Sequence, residues 1–355
     1  MAKIGIRTRI LNSFDDRTFG REQWEHLLEA RNSDIVYQTW EWQRAWWDTF
    51  GCGDLLLIMA ERDGRPVAVA PFYIDSGMVY FVGTGFESGY LDFIGDISGP
   101  DILDAILMCA RESSSGIEEF RFHFIPDDSQ TGEWLAAAAN RLGLTCYDDD
   151  ITEAPILELA LRPDAAAAAI KKKDALYHER LLRRDGKVDV YHLRKGEEIL
   201  PHLREFFEQH STRWVVKSTS TRFGDLKQRE FIERLTSLAA NTGWLRFIRI
   251  DCDGRPIAFQ YGFCYRGRYT REISSFAIDM ARYAPGQVLL RQSFLAAIEE
   301  GAKVFDFGIG DQPYKRRFAT TINQVRTWAL YRSRSNSMMY RDSSDISLEK
   351  PPLAV

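Results

Sequence analysis

The sequence predicts an α/β fold of the α+β kind, built as two tandem and similar halves, each a mixed, mainly antiparallel sheet flanked by helices. Three observations predict it. Apolar runs at residues 55–60, 67–72 and 79–82 are separated by Asp63-Gly64-Arg65-Pro66 and Asp75-Ser76-Gly77. Asp-Gly between apolar runs is a strong hairpin signal, so this stretch reads as a three-stranded meander. The same grammar returns at 244–250, Asp253-Gly254-Arg255-Pro256 and 257–265, followed by Arg266-Gly267 and a third run. In the middle run Ile257, Phe259, Tyr261, Phe263 and Tyr265 fall on one face at the strand period of two. Finally, the two Asp-Gly-Arg-Pro turns lie 190 positions apart, and Gly116 and Phe120 match Gly301 and Phe305 at a displacement of 185. An ordered series of match points argues for an internal duplication where a single common turn would not.

In chain order, residues 21–50 read as helical and aromatic, with Trp24, Trp40, Trp42, Trp46 and Trp47 assigned to the core. The expected halves are 1–155 and 189–332. Between them, 156–188 contains five alanines at 165–169 and the basic residues Lys171, Lys172, Lys173, Arg180, Arg183 and Arg184. That composition predicts an exposed linker helix with a solvated basic face. The Ser- and Arg-rich end, 333–355, reads as a frayed tail.

Bulk properties restrict the function. At 355 residues, 45% hydrophobic and 27% charged, the chain is expected to form one large or two medium soluble domains. A net charge of −5 disfavours a DNA partner gripped through its phosphates. The five cysteines are scattered without Cys-x-x-Cys spacing, so neither a disulfide framework nor a zinc site is expected, and no metal is assigned. The start Met1-Ala2-Lys3-Ile4-Gly5-Ile6-Arg7 lacks an apolar signal core, and no uncharged apolar run approaches a membrane span. A cytoplasmic location is the expectation.

One segment stands out chemically. A strand-like run at 269–276 leads to Tyr283-Ala284-Pro285-Gly286-Gln287-Val288-Leu289-Leu290. From Pro285-Gly286 onward, Leu290, Phe294, Ala297 and Ile298 recur at helical spacing, and Gly301 is placed to end the helix. The first turn of such a helix presents unpaired N–H groups and a positive dipole end, a ready site for the phosphate of a donor.

The second half, from the meander through this turn to Phe305-Asp306-Phe307-Gly308 and Pro313-Tyr314-Lys315, resembles the GNAT acyltransferases. His210-Ser211-Thr212-Arg213-Trp214 and Tyr90-Leu91-Asp92-Phe93 extend the resemblance to a double-domain branch with the CelD-like acetyltransferases and, more distantly, the FemAB peptidyltransferases. The resemblance implies two GNAT-like halves, the second binding an acyl-CoA co-substrate at Tyr283, Ala284, Gly286, Gln287 and Val288, with no resident cofactor. The common GNAT loop is Gln/Arg-x-x-Gly-x-Gly/Ala. Here, counted from Arg282, Pro285 replaces the first glycine and Gln287 stands last. Because the FemAB relatives use aminoacyl-tRNA, that donor is the alternative, with tRNA then a partner.

Acyl transfer to an amine needs a polarised carbonyl, a deprotonated amine and the two held together. Asp306 is a candidate to deprotonate or orient the amine, or else accepts N–H bonds from the following turn. Glu272 is the other candidate base. Tyr314 is placed to protonate the leaving group and Lys315 to pair with a donor phosphate or an acidic acceptor. His210 shares a helical stripe with Leu203, Phe207 and Trp214, which reads as core before it reads as site. Arg213 beside it suits an acidic acceptor. Tyr90 and Asp92 would provide an acceptor-side wall from the first half. The leading expectation is therefore an N-acyltransferase moving an acyl group, expected to be acetyl, to an amine of a small-molecule or glycan precursor in polysaccharide or cell-envelope metabolism. A non-catalytic GNAT scaffold is the reading of another class.

Overall fold

The computed structural model describes residues 5–85, 88–216 and 222–332, with the side chains of 214–216 outside the description. The expected tail, 333–355, and the side chain of Trp214 therefore lie outside the described residues. The elements are β1 (Arg7–Leu11), α1 (Arg21–Ala30), α2 (Trp40–Phe50), β2 (Asp54–Arg62), β3 (Arg65–Asp75), β4 (Met78–Phe81), β5 (Ile94–Gly95), α3 (Pro100–Ser113), β6 (Glu119–Pro126), α4 (Thr131–Leu142), β7 (Leu144–Glu158), α5 (Pro163–Ile170), α6 (Lys173–Asp185), β8 (Val188–Leu193), α7 (Gly196–Val216), α8 (Leu226–Leu238), β9 (Leu245–Cys252), β10 (Arg255–Tyr265), β11 (Arg268–Phe276), α9 (Pro285–Glu299), β12 (Val304–Asp306), α10 (Pro313–Arg316) and β13 (Thr321–Arg332). Helices and a mixed, mostly antiparallel set of strands alternate as the hydrophobic patterning predicts.

Contacts divide the chain into two compact units. The described part of unit 1 falls within 5–33, 37–152 and 324–332, and that of unit 2 within 34–36 and 153–323. In unit 1 the strands run β1-β2-β3-β4-β6-β13, with β5 on β3. Its meander turns at Asp63-Gly64, both with positive φ (55° and 74°), as a two-residue hairpin of this type requires. The core contains Ile58, Phe72, Phe81, Phe93, Phe122 and Leu107, all essentially without solvent exposure. Trp24, Trp42 and Trp46 are buried, as their clustering predicts.

Unit 2 orders its strands β7-β12-β11-β10-β9-β8. The turn between β9 and β10 repeats the geometry of unit 1, with Asp253 and Gly254 at φ 52° and 78°. Ile248, Ile250 and Ala258 pack with Leu182, Val288 and Leu289 from α6 and α9, whereas Phe206 of α7 meets Phe247 and Phe259. The sheet is thus covered by α6 and α9 on one face and α7 on the other.

Two expectations change. The segment 156–188 is not one exposed crossing helix. It contains the end of β7 followed by α5 and α6, and Ala166 and Ala169 are buried against Leu290, Phe294 and Phe305. Small alanine side chains let α5 lie close to α9. Most of the basic residues stay exposed, Arg183 reaching the buried Glu179 and Arg184 pairing with Asp185. The strand ends are also exchanged relative to the expected halves: 153–158 joins the sheet of unit 2, and 324–332 joins that of unit 1. Alternation of apolar residues identifies a strand without naming its partner, so this exchange is invisible to patterning. Within α9, Ile298 is exposed while Leu290, Phe294 and Ala297 are buried, so the core stripe is narrower at that end than the spacing implies.

Candidate functional site

The site is built where β11 and β12 part. The two strands pair in parallel over only three positions, Arg268 with Val304, Tyr269 with Phe305 and Thr270 with Asp306. Beyond Asp306 the chain stays on the residues before β7 ends: Phe307 N–H donates to Pro155 O (3.3 Å) and Gly310 N–H to Glu153 O (2.6 Å). β11 meanwhile continues to Phe276 along β10. Its edge from Arg271 onward is therefore left by β12, and unpaired strand groups on such an edge are ready hydrogen-bonding partners.

A β-bulge sits at the same place. Tyr261 opposes Ile273 but Gly262 opposes Arg271, so Glu272 is the extra residue. Such a bulge re-aims side chains and is common beside active sites. Gly262 is required here, because a Cβ on it would lie 2.3 Å from Thr270 O. Glu272 is largely buried and receives Arg222 Nη1 at 3.3 Å. Next to it, Arg271 donates from Nη1 to Tyr314 Oη (3.0 Å), which fixes the phenol of α10 beside the bulge.

Asp306 ends β12 with no solvent exposure. One oxygen accepts Arg268 Nη1 at 3.0 Å and the other the Gly308 N–H at 2.7 Å. Of its two sequence readings, the geometry gives it the second: it holds the turn after β12. Lys315 is likewise internal. Its Nζ donates to Gly308 O (2.9 Å) and Ile309 O (2.8 Å), and burial, partly opposed by Asp306, lowers its pKa to about 8. The lysine expected to reach a phosphate or an acidic acceptor instead clasps the loop that leads to Tyr314.

This burial has a measurable consequence. The folded-state pKa lies below the ordinary lysine value of 10.5, so the folded protein carries a burial penalty at neutral pH that is relieved as pH rises from about 8 to 10.5. Relative to a Lys315→Met variant, the wild type should gain about 2 kcal/mol between pH 7.5 and 10, read as the difference in urea-unfolding free energies. A constant difference across that range would mean that Lys315 titrates normally.

At the other end of β11, Ala284 adopts a left-handed conformation (φ 44°, ψ 55°) as the N-cap of α9. Gln287 and Val288 both direct their N–H groups to Ala284 O, at 2.9 and 3.4 Å. Pro285 has no N–H, so Gly286 supplies the open donor of this first turn. Nothing inside the protein requires glycine there: a Cβ would meet Phe276 carbons at ordinary distances of 3.4 and 3.5 Å. Tyr283 is buried, and its hydroxyl donates to Asp185 Oδ2 at 3.2 Å. Val288 is a core residue and Gln287 is exposed. Of the five residues expected to touch a donor, Ala284, Gly286 and Gln287 thus stand at the turn, and the Tyr283 and Val288 side chains support it from behind.

Arg213 of α7 is buried with its guanidinium 4.0 Å above the Phe276 ring. Burial, and then the charge of Arg271, lowers its pKa to about 10. His210 is buried against Phe206 and Phe223, and burial followed by Arg222 and Arg213 drives its pKa to about 3, so it is a neutral core residue. In unit 1, Asp92 is enclosed and bonded to Arg31 (3.2 Å), to Thr131 Oγ1 (2.8 Å) and to the Phe93 N–H (2.8 Å). Tyr90 is buried against Tyr37. Both side chains are enclosed within unit 1. Sequence reasoning missed Arg271 and Arg222. Among the described residues no cluster of His, Cys, Asp and Glu fits a metal ion, and no helix is long and apolar enough to cross a membrane.

Comparison with known proteins bears on the fold. The acetyltransferase (GNAT) domain family matches residues 169–316. No curated protein matches the sequence. Among solved structures, FemX superposes with a TM-score of 0.59 at 12% identity, covering 86% of this chain and 95% of that one. L-PGS from Bacillus licheniformis gives 0.56 at 15% identity, with coverage of 88% and 92%. A tandem GNAT protein from the clavulanic acid biosynthesis pathway gives 0.51 at 12% identity, with coverage of 93% and 100%. At these identities the structural likeness speaks for the fold alone. Residues 169–316 thus match the acetyltransferase (GNAT) domain family, in a chain whose fold is similar to that of a tandem GNAT protein.

Proposed function

We propose that unit 2 is an N-acyltransferase centre that moves an acyl group, acetyl in the simplest case, from acyl-CoA to an amine acceptor. The observation that carries this reading is the parting of β11 from β12 beside the bulged Glu272 and Tyr314, with the turn of α9 at the far end of the same strand. A thioester lying along the free edge of β11 would have its carbonyl polarised by strand N–H groups. Glu272 would take the proton from the attacking amine, and Tyr314 would return one to the departing thiolate. Asp306 and Lys315 would hold the loop that carries Tyr314.

The donor phosphates would sit at Gly286, where an unneeded Cβ is absent and the dipole of a 15-residue helix ends. Isothermal titration with acetyl-CoA tests this. Saturable binding is expected for the wild type and its loss for Gly286→Asp, whose carboxylate would oppose the phosphates, with the melting temperature little changed. Equal affinity in both proteins would remove α9 from the donor site. Mass spectrometry of an amine panel after incubation with acetyl-CoA tests the transfer itself. Activity that requires charged tRNA and disappears on RNase treatment would instead make aminoacyl-tRNA the donor.

A further inference from the structure

Three guanidinium groups gather at the bulge. Arg222, Arg271 and Arg213 converge on the strand edge that carries Glu272: Arg222 bonds Glu272, Arg271 is its neighbour in the strand, and the Arg271 charge acts on Arg213. Glu272 answers Arg222. Among the described residues Arg271 meets neutral groups, Tyr314 Oη at 3.0 Å, Ser274 Oγ and the face of the Tyr314 ring. Its Nε is buried with no hydrogen-bond partner, as is Nη2 of Arg222. A part-buried guanidinium beside a second one, with no carboxylate on it among the described residues, is stabilised when an anion arrives. Its planar fork suits bidentate pairing with a carboxylate or phosphate oxygen pair.

We propose that Arg271 binds an anionic group, carboxylate or phosphate, on the amine that accepts the acyl group, with Arg213 adding its field. The inference rests on the acyltransferase reading above and names the acceptor class for it: an amine that also carries an acid. Arg271 stands at the bulge next to Glu272 and Tyr314, whereas the proposed place for the donor phosphates is Gly286, in the first turn of α9 beside Phe276 at the end of β11. An acid held by Arg271 would bring its amine to the base, and neutral amines would leave this part-buried cation unanswered. That asymmetry is a source of selectivity.

The experiment compares matched acceptors with acetyl-CoA: β-alanine against β-alaninamide, and phosphoethanolamine against ethanolamine. The wild type is expected to favour one acidic member over its neutral partner by at least about tenfold in kcat/KM, the scale of one charge-assisted contact. The pair that responds tells carboxylate from phosphate. Arg271→Gln should bring the ratio close to one, mainly through KM, with affinity for acetyl-CoA unchanged, and Arg271→Lys should recover part of the preference. Ser274→Asp, which gives Arg271 an internal carboxylate, should abolish the preference in a protein that keeps the charge pair. A second arm needs no turnover: titration with inorganic phosphate and with acetate should give binding that Arg271→Gln loses. If acetyl-CoA binds but no amine is acylated, the acyltransferase reading fails while this arm still decides the anion site. Equal use of acidic and neutral amines with no anion binding, or loss of acetyl-CoA affinity in Arg271→Gln, overturns the proposal.

Discussion

Asp306→Ala is expected to destabilise the protein by about 3–5 kcal/mol, because it strands a buried guanidinium. Asp306 has no solvent exposure and receives Arg268 Nη1 at 3.0 Å, while Arg268 is itself mostly enclosed. The same carboxylate accepts the Gly308 N–H, so its removal also frees the turn that leads to Lys315 and Tyr314. Arg268 Nε keeps a contact to the partly exposed Asp34 at 3.1 Å, which argues for the lower end of the range. Urea denaturation measures the loss directly. A companion double variant, Asp306→Leu with Arg268→Met, should recover much of the stability, since apolar groups of similar volume often replace a buried ion pair without loss. A single-variant cost under about 1 kcal/mol would show that the turn, not the pair, is what the carboxylate serves.

Asp306 also marks how far the sequence can be read. Its position at the end of a strand, between two phenylalanines and before a glycine, was legible, and so were both of its roles. Choosing between them needed burial and partners, which depend on residues nearly forty positions away. The meanders, their Asp-Gly turns and the helix opening at Pro285 follow from local chemistry and are seen in the sequence. The exchange of β7 and β13 between the sheets does not, because strand patterning carries no partner. Arg271 reads locally as an ordinary polar strand residue. It becomes part of a site only because β10 and β11 slip by one residue, and the one local hint of that slip is Gly262 in the middle of an otherwise bulky strand. The burial of Lys315 is hidden for the converse reason: a lysine after a glycine-rich loop looks exposed until the loop carbonyls fold over it.

The bulge supplies the prediction that bears most on the chemistry. Glu272→Gln should lower kcat for acyl transfer by about 10²–10⁴, the usual share of a positioned base, while leaving KM for the donor near its wild-type value. The substitution preserves shape and an oxygen acceptor for Arg222, so the melting temperature should fall little. The loss should shrink with a more reactive donor or at higher pH, where more of the amine is already deprotonated, because a missing base matters less when less proton transfer remains to be done. Asp306→Asn cannot give this pattern: its effect would enter through stability and the placing of Tyr314, and would not depend on the basicity of the amine. If Glu272→Gln retains more than about a third of wild-type kcat at neutral pH, proton removal falls to water alone. Glu272 would then be one more partner of Arg222, and the bulge would serve to aim Arg271 at the acid of the acceptor.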